Sequence, residues 1–381
     1  MTSDESLAPQ PRSPAPARPP GKRELYIDAF RGLMALVMVQ GHVCDALLTP
    51  AARAEPWYVF QTMFHGSTAP GFLFASGFVA GLPRAPLSLK ASLRRARRLL
   101  FVLGVGYFLH LPYVSLWKTL AAASPAEKAA LFACDALQVI AVTQLFVIAL
   151  QGAARRRWPT LGALLGLLIL AGGPFVWASG LSTRLPAPLG AYLDQRTGSL
   201  FPVFPFSAFV LGGTLAGSTL GHVDPRVRRR RALGAGAVLL GLGIALAPLL
   251  EGRVGFWGVS PAYALIRLGG LLLLLLLVEA ACLRGGPFVA ALGLLGHETL
   301  LVYVLHLLIL FGGIFGYGPL EAWHARLGFP GAFSTVGLLI PVLLAAAGAW
   351  RSFKSHRPHE ARLVLVFLTT ALLCEFFTSP W

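Results

Sequence analysis

One stretch of the chain, LYIDAFRGLMALVMVQGHVCDALL, sets four ionisable side chains in apolar surroundings: Asp28, Arg31, His42 and Asp45. An ionisable group at membrane depth costs about 2.5 to 3.5 kcal/mol, so such groups are functional candidates by default. On a helix, Arg31 and His42 are three turns apart, on one face and about 16 Å from each other along the axis. Asp28 precedes Arg31 by three residues and Asp45 follows His42 by three, a spacing at which helical neighbours meet. The face therefore offers an Asp28–Arg31 pair at one end and a His42–Asp45 pair at the other. An imidazole beside a carboxylate suits general-base or nucleophilic chemistry, with Asp45 fixing the tautomer of His42 and supporting its imidazolium. The bland alternative makes both pairs snorkelling interfacial groups or structural links along the helix.

Three later segments add polar residues of the same kind. In FQTMFHGSTAPGFLFASGF, His65 stands just before Gly66, Ser67, Thr68 and Pro70. Proline removes a backbone donor, and the small polar residues can re-satisfy the freed carbonyls or line a cavity. CDALQ places Asp135 and Gln138 one turn apart, and HETLLVYVLHLLIL places Tyr303 and His306 one turn apart, deeper than His297 and Glu298. His42, His65 and His306 lie on different segments with no close HxxxH spacing, so acid–base work is expected of them and a metal site is not. The one close pair, His356 and His359, falls in a basic loop and reads as solvated. Neither a GxGxxG nor a P-loop occurs, which excludes a soluble nucleotide-binding domain.

The elements that must hold these residues follow from composition. Of 381 residues, 56% are hydrophobic and 13% charged, with 32 basic against 16 acidic side chains and a net charge of +16. A soluble domain carries about 25% charged residues, and a nucleic-acid binder with this basic excess carries far more charge on a polar surface. A polytopic, all-α membrane bundle is the expectation. Apolar stretches near the length that crosses about 30 Å of hydrocarbon fall at roughly 25–48, 57–82, 99–117, 129–151, 159–178, 201–221, 232–250, 262–282, 288–313, 333–350 and 361–377. That is about eleven spans. Residues 1–23, rich in proline and without an apolar h-region, read as a disordered cytoplasmic tail, and 24–381 as a single membrane domain. Most basic residues fall in alternate connections, among them Arg94, Arg95, Arg155 to Arg157 and Arg226 to Arg231, which puts the N-terminus inside and turns the +16 into a topology signal. Away from the span ends, only Arg31 and Arg267 fall inside spans. Cys44, Cys134, Cys282 and Cys374 are scattered in apolar segments and read as packing residues.

With these residues in place, a resemblance emerges. Arg31, ten residues and then His42, set in DAFRGLMALVMVQGH, resembles the first-helix motif of the acyltransferase-three family within the membrane acyltransferase superfamily. FHGSTAPGFLFASGF, DALQVIAV, FPVFPFSAFVLGG and HETLLVYVLHLLI, in that order, resemble the heparan-alpha-glucosaminide N-acetyltransferase-like branch and its bacterial relatives. The resemblance implies acyl transfer across a membrane, from cytoplasmic acyl-CoA, which is consumed as co-substrate, to a hydroxyl or amine of a carbohydrate or lipid-linked glycan on the far side. Arg31 and His42 match the family's functional pair, His306 matches the histidine of its late motif, and His65 corresponds more loosely.

The residue pattern agrees with that scheme. Arg31, with Asp28 beside it and Arg94 and Arg95 in the nearby basic loop, could hold the phosphates of acyl-CoA, while His42 meets the thioester farther out. His42 could deprotonate the acceptor or take the acyl group as an acyl-imidazole; both remain open. Acetyl is the expected acyl group. The competing reading is a secondary transporter or lipid-linked substrate carrier that uses the same His, Asp and Arg residues as a proton relay. A bacterial inner membrane is the expected location, membrane lipids and a further copy of the chain the expected neighbours, and nucleic acid is not an expected partner.

Overall fold

A computed structural model describes residues 25–83, 88–250, 252, 255, 258–313 and 318–379. The expected tail over 1–23 lies outside the described residues. The chain is all-helical, as backbone placed in lipid must satisfy its own hydrogen bonds. Its first half forms α1 (Leu25–Leu47), α2 (Pro50–Arg53), α3 (Pro56–His65), α4 (Thr68–Gly81), α5 (Leu89–Phe108), α6 (Leu116–Ala122), α7 (Pro125–Leu131), α8 (Ala136–Ala154) and α9 (Trp158–Ser179). The second half forms α10 (Ala187–Gly190), α11 (Val203–Leu220), α12 (Pro225–Leu250), α13 (Pro261–Arg284), α14 (Pro287–His297), α15 (Thr299–Phe311), α16 (Phe329–His356) and α17 (Pro358–Thr378). Among the described residues the only β feature is an isolated bridge between Leu48 and Leu327.

Seven stretches among the described residues are long and apolar enough to cross a membrane, or eight when the bent pair α14 and α15 counts as one span. The eleven expected from hydropathy are not reached, for reasons visible in the helices. Stretch 57–82 is two helices, of 10 and 14 residues, each shorter than a bilayer crossing. Stretch 288–313 is bent by 83° at Glu298. The 20 residues of α5 open with LKASLRRARR, too charged for a span. Conversely, Ala136–Ser179 runs to 44 residues and contains α8 and α9, which the backbone of Arg155 (φ 45°) separates.

The first helix is the hub. It is the most enclosed of the long helices, with 67% of its apolar window buried, against 6% for α17 at the perimeter. It packs against α4, α13, α14, α15 and α16. Phe30, Phe74, Phe78 and Phe209 form the core between α1, α4 and α11. There α4 and α11 lie backbone to backbone: a Cβ on Gly77 or Gly81 would meet the carbonyl oxygens of Val210 or Thr214 at 2.0 Å, and one on Gly213 or Gly217 those of Phe74 or Phe78 at 2.0 and 2.1 Å. Two reciprocal small-xxx-small pairs thus bring these helices as close as helices come in lipid.

The bundle has two chemically different ends. At the N-terminal end of α1, Tyr26 touches Phe78 and lies under the Arg228 guanidinium, and Arg95 donates to the Ala80 carbonyl (3.3 Å). This is the basic end. At the other, Ala325 and Leu327 donate to the carbonyls of Ala46 and Leu47 (2.9 and 2.8 Å), tying the chain after α15 to the end of α1. His42, His65 and His306 gather there.

Candidate active site

His42 on α1, His65 on α3 and His306 on α15 come together although 264 residues separate the outermost two. His42 Nδ1 lies 2.9 Å from His306 Nε2, and the rings of His42 and His65 stand perpendicular with centroids 5.9 Å apart. The protons can be assigned from the partners. His306 Nδ1 is 2.9 Å from the Val302 carbonyl, which only accepts, so Nδ1 carries a proton. A neutral His306 then presents a bare Nε2, and the proton between the two rings belongs to His42 Nδ1. His42 is left with its lone pair on Nε2. His306 is fully buried, so water cannot compete for this arrangement.

Gly41 admits the third histidine. A Cβ on Gly41 would stand 1.8 Å from His65 Nε2, so any larger residue would push the imidazole off α1. The same seam is stitched by amides: Gln61 donates to Gln40 (2.8 Å), and Gln40 to Cys44 Sγ (3.3 Å).

Two carboxylates flank the cluster. Asp45 does not orient His42; its Oδ2 is 3.6 Å from His65 Nδ1, and its Oδ1 accepts from the Tyr58 hydroxyl at 3.0 Å. Three residues of helix turn the side-chain direction by about 60°, so His42 faces α15 while Asp45 faces α3. The tautomer-fixing role expected of Asp45 is geometrically that of His306. On the opposite flank, Asp135 caps α8 through the Ala136 N–H (2.8 Å) and accepts from Tyr303 (3.4 Å), whose ring edge meets His306 with centroids 5.7 Å apart.

The break beside His65 lies at Gly66 and Ser67, and Pro70 sits harmlessly in the first turn of α4. Its exposed carbonyls find partners: Thr68 donates to the His65 carbonyl (2.9 Å) and Tyr263 to that of Gly66 (3.3 Å). Arg267, the second basic residue inside a span, donates to the Ser67 hydroxyl.

At the basic end, Arg31 and Asp28 form the expected ion pair (3.6 Å). Arg94 is exposed, and Arg95 is partly buried against α4. Arg228 pairs with Glu279 on α13 (2.9 Å through Nε), and Lys354 on α16 holds the buried Glu298 carboxylate at 2.6 and 2.7 Å, with His297 also on it at 2.7 Å. Arg31, Asp28, Arg94 and Arg95 are therefore grouped at one end of the bundle and His42, His65, His306 and Asp45 at the other.

Against known families, an acyltransferase domain matches residues 24–377, nearly the whole chain. The chain belongs to the acyltransferase-three family. No curated protein matches it. As an acyltransferase-three protein it is an integral membrane acyltransferase, which decides against the transporter reading. Such a reaction needs a group to move a proton at the acceptor and charge to hold the donor. In this chain the histidine cluster and the basic side chains lie at opposite ends of α1.

Sequence reasoning missed Tyr58, Gln61 and Lys354 as neighbours of these groups, and His110, whose Nε2 lies 3.6 Å from Asp135 Oδ2. Tyr58 and His65 are seven residues apart, two turns on one face of α3, and that spacing could have paired them with Asp45. Lys354 carried no such signal, because its partner lies on another helix.

Proposed function

We propose that this membrane acyltransferase moves an acetyl group from acyl-CoA, bound at the basic end, to a hydroxyl or amine of a sugar-type acceptor at the histidine end, with His42 Nε2 as the base. The observation that carries the reading is the hydrogen-bond order Val302 carbonyl, His306, His42, which leaves that one nitrogen with a lone pair. In direct transfer, Nε2 takes the acceptor proton as its oxygen or nitrogen bonds to the thioester carbon. The carbon–sulfur bond then breaks, and the departing CoA thiolate takes the proton back. His306 accepts from His42 Nδ1 throughout and supports the transient imidazolium.

The donor fits the opposite end by chemistry. Its phosphates call for guanidinium groups, and Arg31, Arg94 and Arg95 supply them, with Asp28 orienting Arg31. Three turns of α1, about 16 Å, separate Arg31 from His42, so a ligand with a long arm joins the two. The acceptor class follows the heparan-alpha-glucosaminide N-acetyltransferase-like resemblance of the helix motifs. The basic connections support a cytoplasmic N-terminus, and the membrane is read as a bacterial inner one.

The test is transfer of labelled acetyl from acetyl-CoA by purified protein. His42→Ala is expected to lower the rate about 100- to 10,000-fold while the protein still inserts and binds acetyl-CoA. Substantial transfer in that variant removes His42 from the chemistry. Direct transfer and an acyl-imidazole use the same lone pair and differ in whether label stays on the protein when acceptor is withheld.

A further inference from the structure

Two adjoining cavities open at the histidine end and share His110 and Asp135 as walls. The outer one, about 440 Å³, runs along the small side chains of α7, Ala126, Ala129 and Ala130, to Thr197. The inner one, about 190 Å³, reaches Gln138 and Tyr303.

Gln138 is fully buried, yet neither its amide oxygen nor its amide nitrogen has a hydrogen-bond partner. Buried polar groups in native proteins are nearly always paired, and leaving one unpaired is costly. The amide is also deliberately housed: Gly106 makes room for it, since a Cβ there would lie 2.9 Å from the amide carbon and oxygen. Beside it, Asp135 Oδ2 keeps only long contacts, 3.4 Å to the Tyr303 hydroxyl and 3.6 Å to His110 Nε2. His110 Nδ1 donates to the Ala130 carbonyl (3.1 Å), so in the neutral ring Nε2 is a second acceptor facing that carboxylate. The cavity thus asks for several donors and at least one acceptor within a small space. Adjacent hydroxyl groups supply both, and Asp135 discourages an anion.

We propose that the two cavities seat a neutral polyhydroxylated head group of the saccharide class, held by the Gln138 amide and the Asp135 carboxylate. Its inner edge then rests on Tyr303, whose ring abuts His306 and so the His42 pair. The inference rests on the reading of the protein as an acyltransferase with a sugar-type acceptor, and gives that acceptor its place. Free and lipid-linked saccharides share this chemistry.

The experiment uses the full chain in a detergent without a sugar head group. It is titrated with methyl glucoside, with octyl glucoside below its micellar concentration, and with glucose 6-phosphate, reading Kd and the thermal midpoint. The expected result is that both glucosides bind and raise the midpoint, and that the phosphate ester binds at least tenfold more weakly. Tighter binding of the octyl form identifies a lipid-linked ligand, and equal binding a free one. Gln138→Leu removes only the unpaired amide and is expected to keep or raise the midpoint without ligand while weakening glucoside binding at least tenfold. Ala130→Leu, which narrows the outer cavity from an exposed helix, is expected to weaken it as well. Unchanged glucoside binding in both variants, or no binding by the wild type, overturns the proposal and leaves the cavities to water. Transfer from acetyl-CoA is read separately: its absence in the wild type sinks the acyl-transfer chemistry and leaves the binding result standing, whereas transfer with an unaltered glucoside KM in Gln138→Leu sinks only this seat.

Discussion

Holding His306 Nδ1 on a helix carbonyl makes the backbone of α15 the element that decides which nitrogen of His42 is basic. On the proposed reading His306 is a positioning residue, and its variants should separate by what they can accept. His306→Leu leaves His42 Nδ1–H without an acceptor and should lower kcat about 100-fold or more, with the KM for acetyl-CoA little changed. His306→Gln, whose side-chain oxygen can accept, should recover part of that loss; equal defects in both variants would argue that His306 only packs. Gly41→Ala should act on the other histidine. It displaces His65 and, since a 1 Å misplacement can cost about 100-fold, should lower turnover without loss of folded protein, as read by kinetics and by the thermal midpoint together.

At the level of elements, the close pair α4 and α11 holds the floor under the break at Gly66. Gly77→Val or Gly213→Val inserts atoms where a carbonyl lies 2.0 Å from a Cβ and should cost about 1–3 kcal/mol, seen as a lower unfolding midpoint. Gly270→Ala on α13, with open space around it, is the control and should be neutral or stabilising. The short helix α7, one wall of the outer cavity, depends on a capping box in which Ser124 donates its N–H to Glu127 (2.7 Å) and accepts the Glu127 N–H (3.2 Å). Hydrogen bonds from Ser124 hold the Glu127 carboxyl below the ordinary carboxylate range. A lowered carboxyl contributes its stability above the unfolded-state value and loses it as pH falls through the folded one. Protection of the amides of Ala126–Ala130, taken relative to the intrinsic exchange rate at each pH, should thus fall on acidification below that range, and Ser124→Ala should remove much of that pH dependence.

For the whole molecule, the sequence was most informative where a single helix carries the message. The three turns between Arg31 and His42, and the Asp28–Arg31 pair, follow from helical period alone, and the apolar stretches correctly announced an all-helical membrane protein. What stayed hidden was between elements. No spacing says that His306 rather than Asp45 meets His42, that Tyr58 and His65 share Asp45, or that two hydropathy peaks are broken helices, because a break is set by a few backbone dihedrals and by partners such as Tyr263 and Arg267. The two-ended layout predicts a topology that can be checked by single cysteines in a chain with its native cysteines replaced: probes placed at Arg229 should label from the cytoplasmic side and those at Lys118 from the opposite side. The reverse pattern would place the histidines in the cytoplasm and dismantle the scheme of transfer across the membrane.

The unbroken course of α1 has one more consequence. Because Arg31 and His42 stand on the same proline-free helix, loop motion cannot alter the distance between them. On the proposed reading, α1 is a gauge against which the donor is measured, and an insertion of one helical turn between the two residues would lengthen the gauge while keeping their common face. Such a variant should fold around the same histidines yet favour a donor with a longer arm, which would make reach, and not acyl chemistry, the property this bundle selects most strictly.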